Sequence, residues 1–346
     1  MKEIKIAING FGRIGRLFFR SVFLRDPELN FGLKIVAIND LGDIENLAYL
    51  LKYDTVYGRY DKNVEVKNSN LVVEGREIKV LQVKEPENLP WKDLGIDIAV
   101  ESTGFFESYE KAEAHLKAGA KRVVITAPAK DADGPLGQTV LVGINEEELK
   151  QCKISSNGSC TTNACSPVIE VLAENPGILK AVLNTVHAYT ATQNIVDGPV
   201  RGGKDFRRGR SASQNIVPST TGAAIAVTRA VRELKDKFDG IAIRVPVVSG
   251  SIADITFIAK RKTSVEEINN ILSEAAESPR WKGILKVTKD QIVSSDILGE
   301  PYGAIVDLNF TKVIDGDLVK VLSWYDNEAG YVSTLIKHIE KISEIL

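Results

Sequence analysis

A glycine-rich turn between an apolar strand and an amphipathic helix constrains the fold of this chain more than any other feature. Apolar residues alternate from Glu3 to Asn9, which predicts a strand, and the next residues are Gly10-Phe11-Gly12-Arg13-Ile14-Gly15. Apolar positions then recur at helical spacing as far as Val22, and a second apolar strand ends at Asn39-Asp40. This order is typical of a βαβ unit in a parallel sheet.

The same turn predicts a binding site. Glycines let the backbone approach a pyrophosphate at the start of a helix, where unpaired N–H groups face the ligand. The carboxylate of Asp40 can accept hydrogen bonds from the hydroxyls of an adenine ribose, and it would repel a 2′-phosphate. Gly10, Gly12, Gly15 and Asp40 therefore predict a dinucleotide site that takes NAD rather than NADP.

Length, charge and cysteine content limit the class of protein. A chain of 346 residues exceeds what one hydrophobic core usually organises, so two domains are expected. The formal net charge of -2 argues against bulk affinity for nucleic acid or acidic lipid. Cys152, Cys160 and Cys165 are odd in number and close together, which is not a disulfide framework. Such cysteines are typical of a reducing compartment, so we expect a cytoplasmic protein. No apolar run predicts a transmembrane helix, and we expect no membrane partner, no nucleic-acid partner in a primary role and no metal site.

The rest of the first half predicts a doubly wound sheet. Three short alternating stretches from Lys62 to Leu81 predict an antiparallel meander. Further strands are predicted at 96–101 and 122–125, with a helix from Tyr109 to Ala118 between them. Thr103-Gly104 and Thr126 follow directly after these strands, where ligands of open α/β sheets bind.

A polar run of small residues from Ser156 to Ala164 contains Cys160 and precedes an apolar helical pattern. The pattern predicts a loop that opens a helix. At a helix start, unpaired N–H groups and the positive end of the dipole favour a thiolate, which is a strong nucleophile. A buried structural residue is the alternative for any single cysteine, but the hydroxyls and Asn163 around Cys160 argue against an apolar slot.

The second half predicts an α+β domain with a large mixed or antiparallel sheet. A helix is expected from Thr221 to Phe238, and Thr263 with Glu266 predicts a capping box at the start of another. A last helix is expected from about Glu328 to Ile345, and the residues alone leave open which domain it packs on. The main strands are predicted at 178–187, 241–248, 253–259 and 318–325.

His187 follows the strongest strand of the second half. A histidine beside Cys160 would lower the pKa of the thiol and serve as its base, but the sequence alone does not bring the two together. His115 and His338 lie in predicted helices with charged neighbours, and we assign both a structural role.

The segment from Asp197 to Arg210 combines glycines with Arg201, Lys204, Arg207, Arg208 and Arg210. A solvated charge run and a nucleic-acid contact are two interpretations. A phosphate site is the third, because arginine forks and glycine-rich backbone also bind compact phosphates. Thr221-Gly222, at a predicted helix start, offers further anion-binding N–H groups.

Six motifs together closely resemble the phosphorylating glyceraldehyde-3-phosphate dehydrogenases, in the same order from Lys5 to about His338. They are Asn9-Gly10-Phe11-Gly12-Arg13-Ile14-Gly15-Arg16, Asn39-Asp40, Ser159-Cys160-Thr161-Thr162-Asn163, His187-Ala188-Tyr189-Thr190, Arg244-Val245-Pro246 and Trp324-Tyr325-Asp326-Asn327-Glu328.

The resemblance implies a reaction and a role for each matching residue. Cys160 would add to the aldehyde of glyceraldehyde 3-phosphate, His187 would act as the base, and inorganic phosphate would release the resulting thioester as 1,3-bisphosphoglycerate. Thr190 and Arg244 would bind the C3 phosphate of the substrate. The site for the attacking phosphate would contain Ser159, Thr161, Arg208, Thr221 and Gly222, and NAD would contact Arg13, Ile14, Asp40, Lys84, Thr126, Asn327 and Tyr331.

The resemblance also implies an architecture. Residues 1–158 would form a Rossmann-type doubly wound parallel sheet, residues 159–326 the catalytic α+β domain, and the C-terminal helix, 327–346, would return to the first domain. Members of the family are homotetramers, in which the counterpart of Asp197 to Arg210 lies between subunits beside a neighbour's cofactor. That placement would explain the basic run without nucleic acid.

The chain departs from the family pattern in three places and leaves two alternatives. Ala164 replaces a usual cysteine, with Cys165 one place later; Lys84 stands where arginine is common; and the loop before Lys204 is about two residues longer. An erythrose-4-phosphate or semialdehyde dehydrogenase of the same fold would alter the phosphate-binding residues. A non-enzymatic NAD-binding or RNA-associating protein would not need the complete catalytic set.

Overall fold

A computed structural model of the chain describes residues 3–23, 32–200 and 204–346. The chain divides into two compact units. The first unit consists of Met1–Gly158 with Leu335–Leu346, and the second unit of Ser159–Thr334. Within the described residues, no helix combines the length and the apolarity that crossing a membrane requires.

The elements of the first unit follow the predicted alternation of strands and helices. The strands are β1 (Ile4–Asn9), β2 (Leu33–Asn39), β3 (Tyr53–Asp54), β4 (Gly58–Arg59), β5 (Val64–Lys67), β6 (Asn70–Val73), β7 (Arg76–Leu81), β8 (Ile98–Glu101), β9 (Arg122–Ile125), β10 (Gly137–Thr139) and β11 (Ile154–Ser156). The helices are α1 (Arg13–Phe23), α2 (Ile44–Lys52), α3 (Trp91–Leu94) and α4 (Tyr109–Lys117).

A nine-stranded sheet organises the first unit, in the order β10-β11-β9-β8-β1-β2-β7-β6-β5. Strands β10 to β7 of this order pair in parallel, whereas the predicted meander β5-β6-β7 is antiparallel. Strand β1 lies between β2 and β8, so the winding reverses direction between β1 and β8. The loops after these two strands therefore open a crevice at their carboxyl ends, where doubly wound sheets bind nucleotides.

Buried polar residues form hydrogen bonds in the core of the first unit, next to the end of β8. His115 is fully buried, and its Nδ1 accepts a hydrogen bond of 3.0 Å from the indole N–H of Trp91. An indole nitrogen only donates, so the proton of the neutral ring is on Nε2, which donates to Glu101 at 3.0 Å. The structural role predicted for His115 is confirmed, and so is that of buried His338, whose Nε2 lies 2.7 Å from Ser155 Oγ in the same unit.

The second unit is built on a seven-stranded mixed sheet, in the order β13-β14-β12-β15-β18-β17-β16. Helices α5 and α7 pack on this sheet, which confirms the predicted α+β class. The strands are β12 (Ile178–Ala188), β13 (Val217–Thr220), β14 (Phe238–Val245), β15 (Ser251–Ala259), β16 (Leu285–Thr288), β17 (Ala304–Ile314) and β18 (Leu318–Tyr325); the helices are α5 (Cys160–Glu174), α6 (Ala223–Ala230), α7 (Val265–Glu277) and α8 (Ala329–Ser343), whose last residues belong to the first unit.

Two local predictions for the second unit are wrong. The helix expected from Thr221 to Phe238 ends at Ala230, and Asp236 adopts φ 62°, a left-handed conformation through which no α-helix continues. The cap of α7 is shifted by one residue from the predicted box. Ser264, not Thr263, is the N-cap and accepts a hydrogen bond from the N–H of Glu267.

The glycine turn makes a prediction about stability. Gly10 has φ +94°, and a Cβ added there would lie 2.6 Å from the backbone nitrogen of Thr103. We expect Gly10→Ala to lower the midpoint of thermal unfolding by about 4–8 °C, because left-handed backbone and the clash together cost about 2 kcal/mol or more. Gly12→Ala is the matched control, since a Cβ there meets nothing within 4 Å. Equal midpoints for both variants would contradict this account.

Candidate active site

Cys160 is the first residue of α5, as predicted from the polar run before it. The N-cap is Ser159, whose hydroxyl accepts a hydrogen bond from the N–H of Thr162, while the Thr162 hydroxyl accepts one from the N–H of Ser159. This reciprocal cap satisfies two N–H groups of the helix end. The thiol of Cys160 therefore lies at a rigid, positively polarised helix start, half-buried, while Cys152 and Cys165 are buried.

Strand pairing brings a base and a cation to this thiol. His187 lies near the end of β12 and Arg244 near the end of β14, and the two are direct partners in the parallel register of these strands. His187 Nε2 lies 3.3 Å from Cys160 Sγ, and Arg244 Nη1 lies 2.6 Å from His187 Nδ1. Arg244 Nη1 also donates to the Ala188 carbonyl, 3.1 Å away. The structure thus unites the thiol, imidazole and guanidinium that the sequence could only suggest separately.

Burial and the charge of Arg244 shift the pKa of the Cys160 thiol in opposite directions and that of the His187 imidazole in the same direction. Burial raises the pKa of the Cys160 thiol, whereas Arg244 and the N–H groups of Thr161 and Cys160 lower it. Burial and, next in size, the positive charge of Arg244 together lower the pKa of His187 to about 3. Burial therefore opposes the thiolate that the sequence predicts at Cys160, and it also keeps His187 neutral. His187 Nδ1 lies 2.6 Å from the Ala188 carbonyl oxygen, and with the ring proton donated there Nε2 is free to accept the thiol proton. That transfer creates both charges at once, at a place where Arg244 and the helix start stabilise the thiolate.

A buried tyrosine at the end of β18, Tyr325, contacts the His187 ring and the helix that begins with Cys160. The hydroxyl of Tyr325 lies 2.8 Å from Thr161 Oγ1 and 2.7 Å from Thr185 Oγ1, and its ring packs edge-on against His187. Burial raises the pKa of Tyr325, so its hydroxyl stays protonated. Tyr325 belongs to one of the six motifs, but no role for it was predicted, because alternation along a strand does not show which hydroxyls meet.

The second candidate anion site lies on different elements. Arg208 donates from Nε and Nη2 to the hydroxyl of Ser219, at 3.0 and 2.7 Å, which fixes its planar fork. Gly222 is the N-cap of α6, and the hydroxyl of Thr221 accepts from the N–H of Ala223. Arg208 also acts electrostatically on both His187 and Arg244, so the two predicted arginines lie in one positive region. Thr190 follows β12 and is partly exposed.

The basic segment around Arg208 is largely paired within itself. Arg207 pairs with Asp205 at 2.7 Å, and Arg210 pairs with Asp197 at 2.8 Å. Lys204 is exposed, and Arg201 lies outside the described residues. Arg208 differs from these exposed neighbours, because it donates two hydrogen bonds to the Ser219 hydroxyl and lies only 3.9 Å from the Asp205 carboxylate.

The glycine turn of the first unit forms a cradle. The N–H of Phe11 donates to Asp40 Oδ2 at 2.7 Å, so the acid after β2 lies beside the turn after β1, as predicted. Space above Gly12 is open, because an added Cβ would meet nothing within 4 Å. An open, glycine-lined helix start next to a carboxylate fits the pyrophosphate and ribose of a dinucleotide. Gly15 and Ile14 lie in the first turn of α1.

The other proposed cofactor residues of the first unit lie at or near strand ends. Thr103 and Gly104 follow β8, and the N–H and hydroxyl of Thr103 both donate to Glu101. The Thr126 hydroxyl donates to the Glu101 carbonyl at 3.1 Å, and Lys84 is exposed after β7. Arg13 pairs with Asp54 at 2.6 Å, a contact that was not predicted because the two-residue strand β3, which ends at Asp54, has no periodicity to read from the sequence. Glu101 was also missed, although an acid after three apolar residues of a strand was a usable signal.

Asn327 and Tyr331 lie in the second unit, where β18 joins α8. The side-chain oxygen of Asn327 accepts hydrogen bonds from the N–H of Gly250 and the hydroxyl of Ser251. Tyr331 is buried in the first turn of α8. Among residues 3–23, 32–200 and 204–346, no group of histidine, cysteine and carboxylate side chains could hold a metal ion.

Comparison with known proteins agrees with this geometry. The family model "Glyceraldehyde 3-phosphate dehydrogenase, NAD binding domain" matches residues 4–109, and the model of the C-terminal domain of the same family matches residues 159–327. The glyceraldehyde-3-phosphate dehydrogenase of Thermotoga maritima is 50% identical over 337 residues, which cover 97% of this chain and 98% of that protein.

Two further relatives extend the match. The glyceraldehyde-3-phosphate dehydrogenase of Clostridium pasteurianum is 47% identical over 345 residues, 99% of both chains, and that of Streptomyces coelicolor is 46% identical over 335 residues, 96% of both chains. Similarity of this degree over nearly the whole chain, together with a thiol, a base and two arginines in one place, shows that the chain belongs to the glyceraldehyde 3-phosphate dehydrogenase family.

Proposed function

We propose that the chain oxidises glyceraldehyde 3-phosphate with NAD and inorganic phosphate to 1,3-bisphosphoglycerate. The observation that carries this proposal is the 3.3 Å contact between Cys160 Sγ and His187 Nε2, at the start of α5 and beside Arg244. A nucleophile within reach of a base is the arrangement that covalent catalysis on a carbonyl requires.

Cys160 and His187 divide the chemistry between them. Sγ forms a bond to the aldehyde carbon as the thiol proton passes to Nε2, and Nε2 returns that proton to the alkoxide oxygen to give a hemithioacetal on Cys160. NAD, when bound, supplies a hydride acceptor. His187 takes the hydroxyl proton of the hemithioacetal as the hydride leaves, and a thioester remains on Cys160. A phosphate oxygen then adds to the thioester carbon, the carbon–sulfur bond breaks, and the thiolate departs with the acyl phosphate as product.

Two phosphate groups take part in this reaction, and two sets of anion-binding groups are present. Arg244, with Thr190, is proposed to bind the C3 phosphate of the aldehyde. Arg208 is proposed to bind the attacking phosphate, because Ser219 orients its fork and the start of α6 adds N–H donors. The remaining groups proposed for the attacking phosphate are Ser159, Thr161, Thr221 and Gly222.

The proposed cofactor residues are each assigned to one part of NAD. The cradle of Gly10, Gly12 and Gly15 is proposed to hold the pyrophosphate, and Asp40 the adenine ribose. Asn327 is proposed to hold the carboxamide and Tyr331 to lie near the nicotinamide ring. Arg13, Ile14, Lys84, Thr103, Gly104 and Thr126 complete the proposed NAD contacts.

The alternatives from the sequence find less support. The relatives reported above are all called glyceraldehyde-3-phosphate dehydrogenase, and none is called an erythrose-4-phosphate dehydrogenase. A protein that only bound NAD or RNA would have no use for a thiol, an imidazole and two oriented arginines in one region.

Assembly and location are proposed on physical grounds. Val182 on β12 and Ile241 on the neighbouring β14 each expose more than half of their surface, and apolar sheet faces of this kind usually pack against another chain. This supports the homotetramer that the family resemblance implies. Cys152, Cys160 and Cys165 are all free thiols, as is usual for proteins of a reducing compartment, which supports a cytoplasmic location.

Phosphate dependence tests the proposed reaction. Steady NADH formation at 340 nm from glyceraldehyde 3-phosphate and NAD should require added inorganic phosphate, with at most about one NADH per active site without it, because the acyl-enzyme accumulates. Arg208→Gln should raise the KM for phosphate about tenfold or more and change the KM for the aldehyde less. Arg207→Gln is the matched control, since Arg207 is exposed and paired with Asp205. Full turnover without phosphate would refute the phosphorylating reaction.

The electrostatics of the thiol predict a pH shift. Arg244 lowers the pKa of Cys160, so Arg244→Gln should raise that pKa and move the midpoint of Cys160 alkylation by iodoacetamide to higher pH. Arg208→Gln should move this midpoint less, because Arg208 acts on His187 and Arg244 rather than on the thiol. An unchanged midpoint in Arg244→Gln would show that the guanidinium does not stabilise the thiolate.

Asp40 predicts cofactor choice. Asp40→Asn removes the charge that repels a 2′-phosphate, so the preference for NAD over NADP in kcat/KM should narrow by about tenfold. Asp43→Asn is the control, since Asp43 caps α2 and is not assigned to the cofactor. A wild-type chain that used both cofactors equally would contradict the role of Asp40.

A further inference from the structure

Gly250, just before β15, and Ser251, its first residue, fix the side chain of Asn327. The N–H of Gly250 donates to Asn327 Oδ1 at 3.1 Å, and the hydroxyl of Ser251 donates to the same oxygen at 2.9 Å. Asn327 is 6% exposed and Ser251 is 1% exposed. We call Gly250 and Ser251 the amide clamp. Its contacts are shielded from competing water, which makes them stronger than surface contacts.

The clamp allows only one orientation of the amide. A backbone N–H and a committed hydroxyl proton both donate, so the atom of Asn327 that faces them must be the oxygen. The NH₂ group is therefore turned away from the clamp. Gly250 reaches this geometry with φ +90°, and a Cβ there would lie 2.4 Å from the Ser294 carbonyl oxygen, so a side chain at this position would displace the clamp.

Ser251 also connects the amide to the strand that carries the base. The N–H of Ala188, the residue after His187, donates to Ser251 Oγ at 3.1 Å. Strand β15 lies between β12 and β18 in the sheet, so one hydroxyl at its first residue reaches the end of β12 and the residues after β18. The main chain beside the base and the amide of Asn327 therefore share a hydrogen-bonding partner.

We propose that Ser251 is a positioning residue, which holds the amide of Asn327 so that its NH₂ group is presented to the carbonyl of the nicotinamide carboxamide. This inference rests on the proposed function, because it assigns Asn327 to that carboxamide. Ser251 itself does not touch the cofactor in this role. Its hydrogen bond prevents the amide of Asn327 from rotating. The fixed amide then favours one orientation of the bound nicotinamide ring relative to the reacting carbon on Cys160.

Binding of two ligands to the intact chain tests the role. ADP-ribose contains the adenosine, pyrophosphate and second ribose of NAD but lacks the nicotinamide. Ser251→Ala should weaken NAD binding about three- to tenfold in calorimetric titration, the usual effect of one lost hydrogen bond, and leave ADP-ribose binding unchanged. A general loss of structure would weaken both ligands equally, and that result would overturn the proposal.

Ser249→Ala is the matched control. Ser249 is also a buried serine, two residues away, but its hydroxyl donates to Asp326, which accepts three further hydrogen bonds from main-chain N–H groups. We expect it to leave the ratio of the NAD and ADP-ribose dissociation constants at the wild-type value. If Ser249→Ala changed that ratio as much as Ser251→Ala, the role would belong to the whole segment and not to Ser251.

A double substitution separates this inference from the proposed function. In an Asn327→Ala background, Ser251→Ala should not weaken NAD binding further, because the group that Ser251 holds is gone. An additional loss of the same size would overturn the proposal.

Should Ser251→Ala fail to fold, Ser251→Cys keeps the volume with a weak donor and carries the same expectation. A wild-type chain without dehydrogenase activity would refute the proposed function, whereas an active wild type with unchanged Ser251→Ala binding would refute only the role of Ser251.

Discussion

Removal of reactive polar groups from water is the constraint on which the catalytic unit depends. Cys160 and His187 each resist ionisation when buried, as the raised pKa of the thiol and the lowered pKa of the imidazole show. A buried thiol without compensating charge would be inert. Arg244 and the start of α5 supply that compensation, and the capping hydrogen bonds of Ser159 and Thr162 keep the helix start rigid. Burial therefore suppresses unwanted ionisation, while the fixed positive groups favour the thiolate during attack on the carbonyl.

The mixed sheet of the second unit determines which groups meet. Parallel pairing of β12 with β14 places His187 opposite Arg244, and antiparallel pairing of β12 with β15 and β15 with β18 brings Ser251 between Ala188 and Asn327. Groups on strands and helix starts move little relative to one another, and a reaction with several bonded states on one sulfur benefits from such rigidity. The same sheet leaves Val182 and Ile241 exposed, which is consistent with a further chain packing there.

In the first unit the decisive constraint is steric, because a charged ligand can approach the backbone closely only where no side chain intervenes. Gly10 bends the chain away from β1 with φ +94°, and Gly12 leaves open space above the start of α1. Below this cradle, buried Glu101 accepts hydrogen bonds from Thr103 and His115, so the loop after β8 is anchored to the core. A buried carboxylate is tolerated there because neutral donors surround it. The Ser102 hydroxyl donates to the Gly10 carbonyl at 2.7 Å, which joins the loop after β8 to the glycine turn.

The sequence by itself determined the features that depend on neighbours in the chain. The glycine turn, the alternation of β1 and β2, the antiparallel meander and the position of Cys160 at a helix start all follow from short-range patterns, and the structure agrees with them. Local patterns failed where conformation depended on distant packing, as in the helix that ends at Ala230 instead of Phe238. Only the tertiary structure decided that His187 reaches Cys160, that Arg244 lies beside both, and that Ser251 orients Asn327. Strand register and sheet order set these contacts, and they depend on the burial of whole faces rather than on any local sequence.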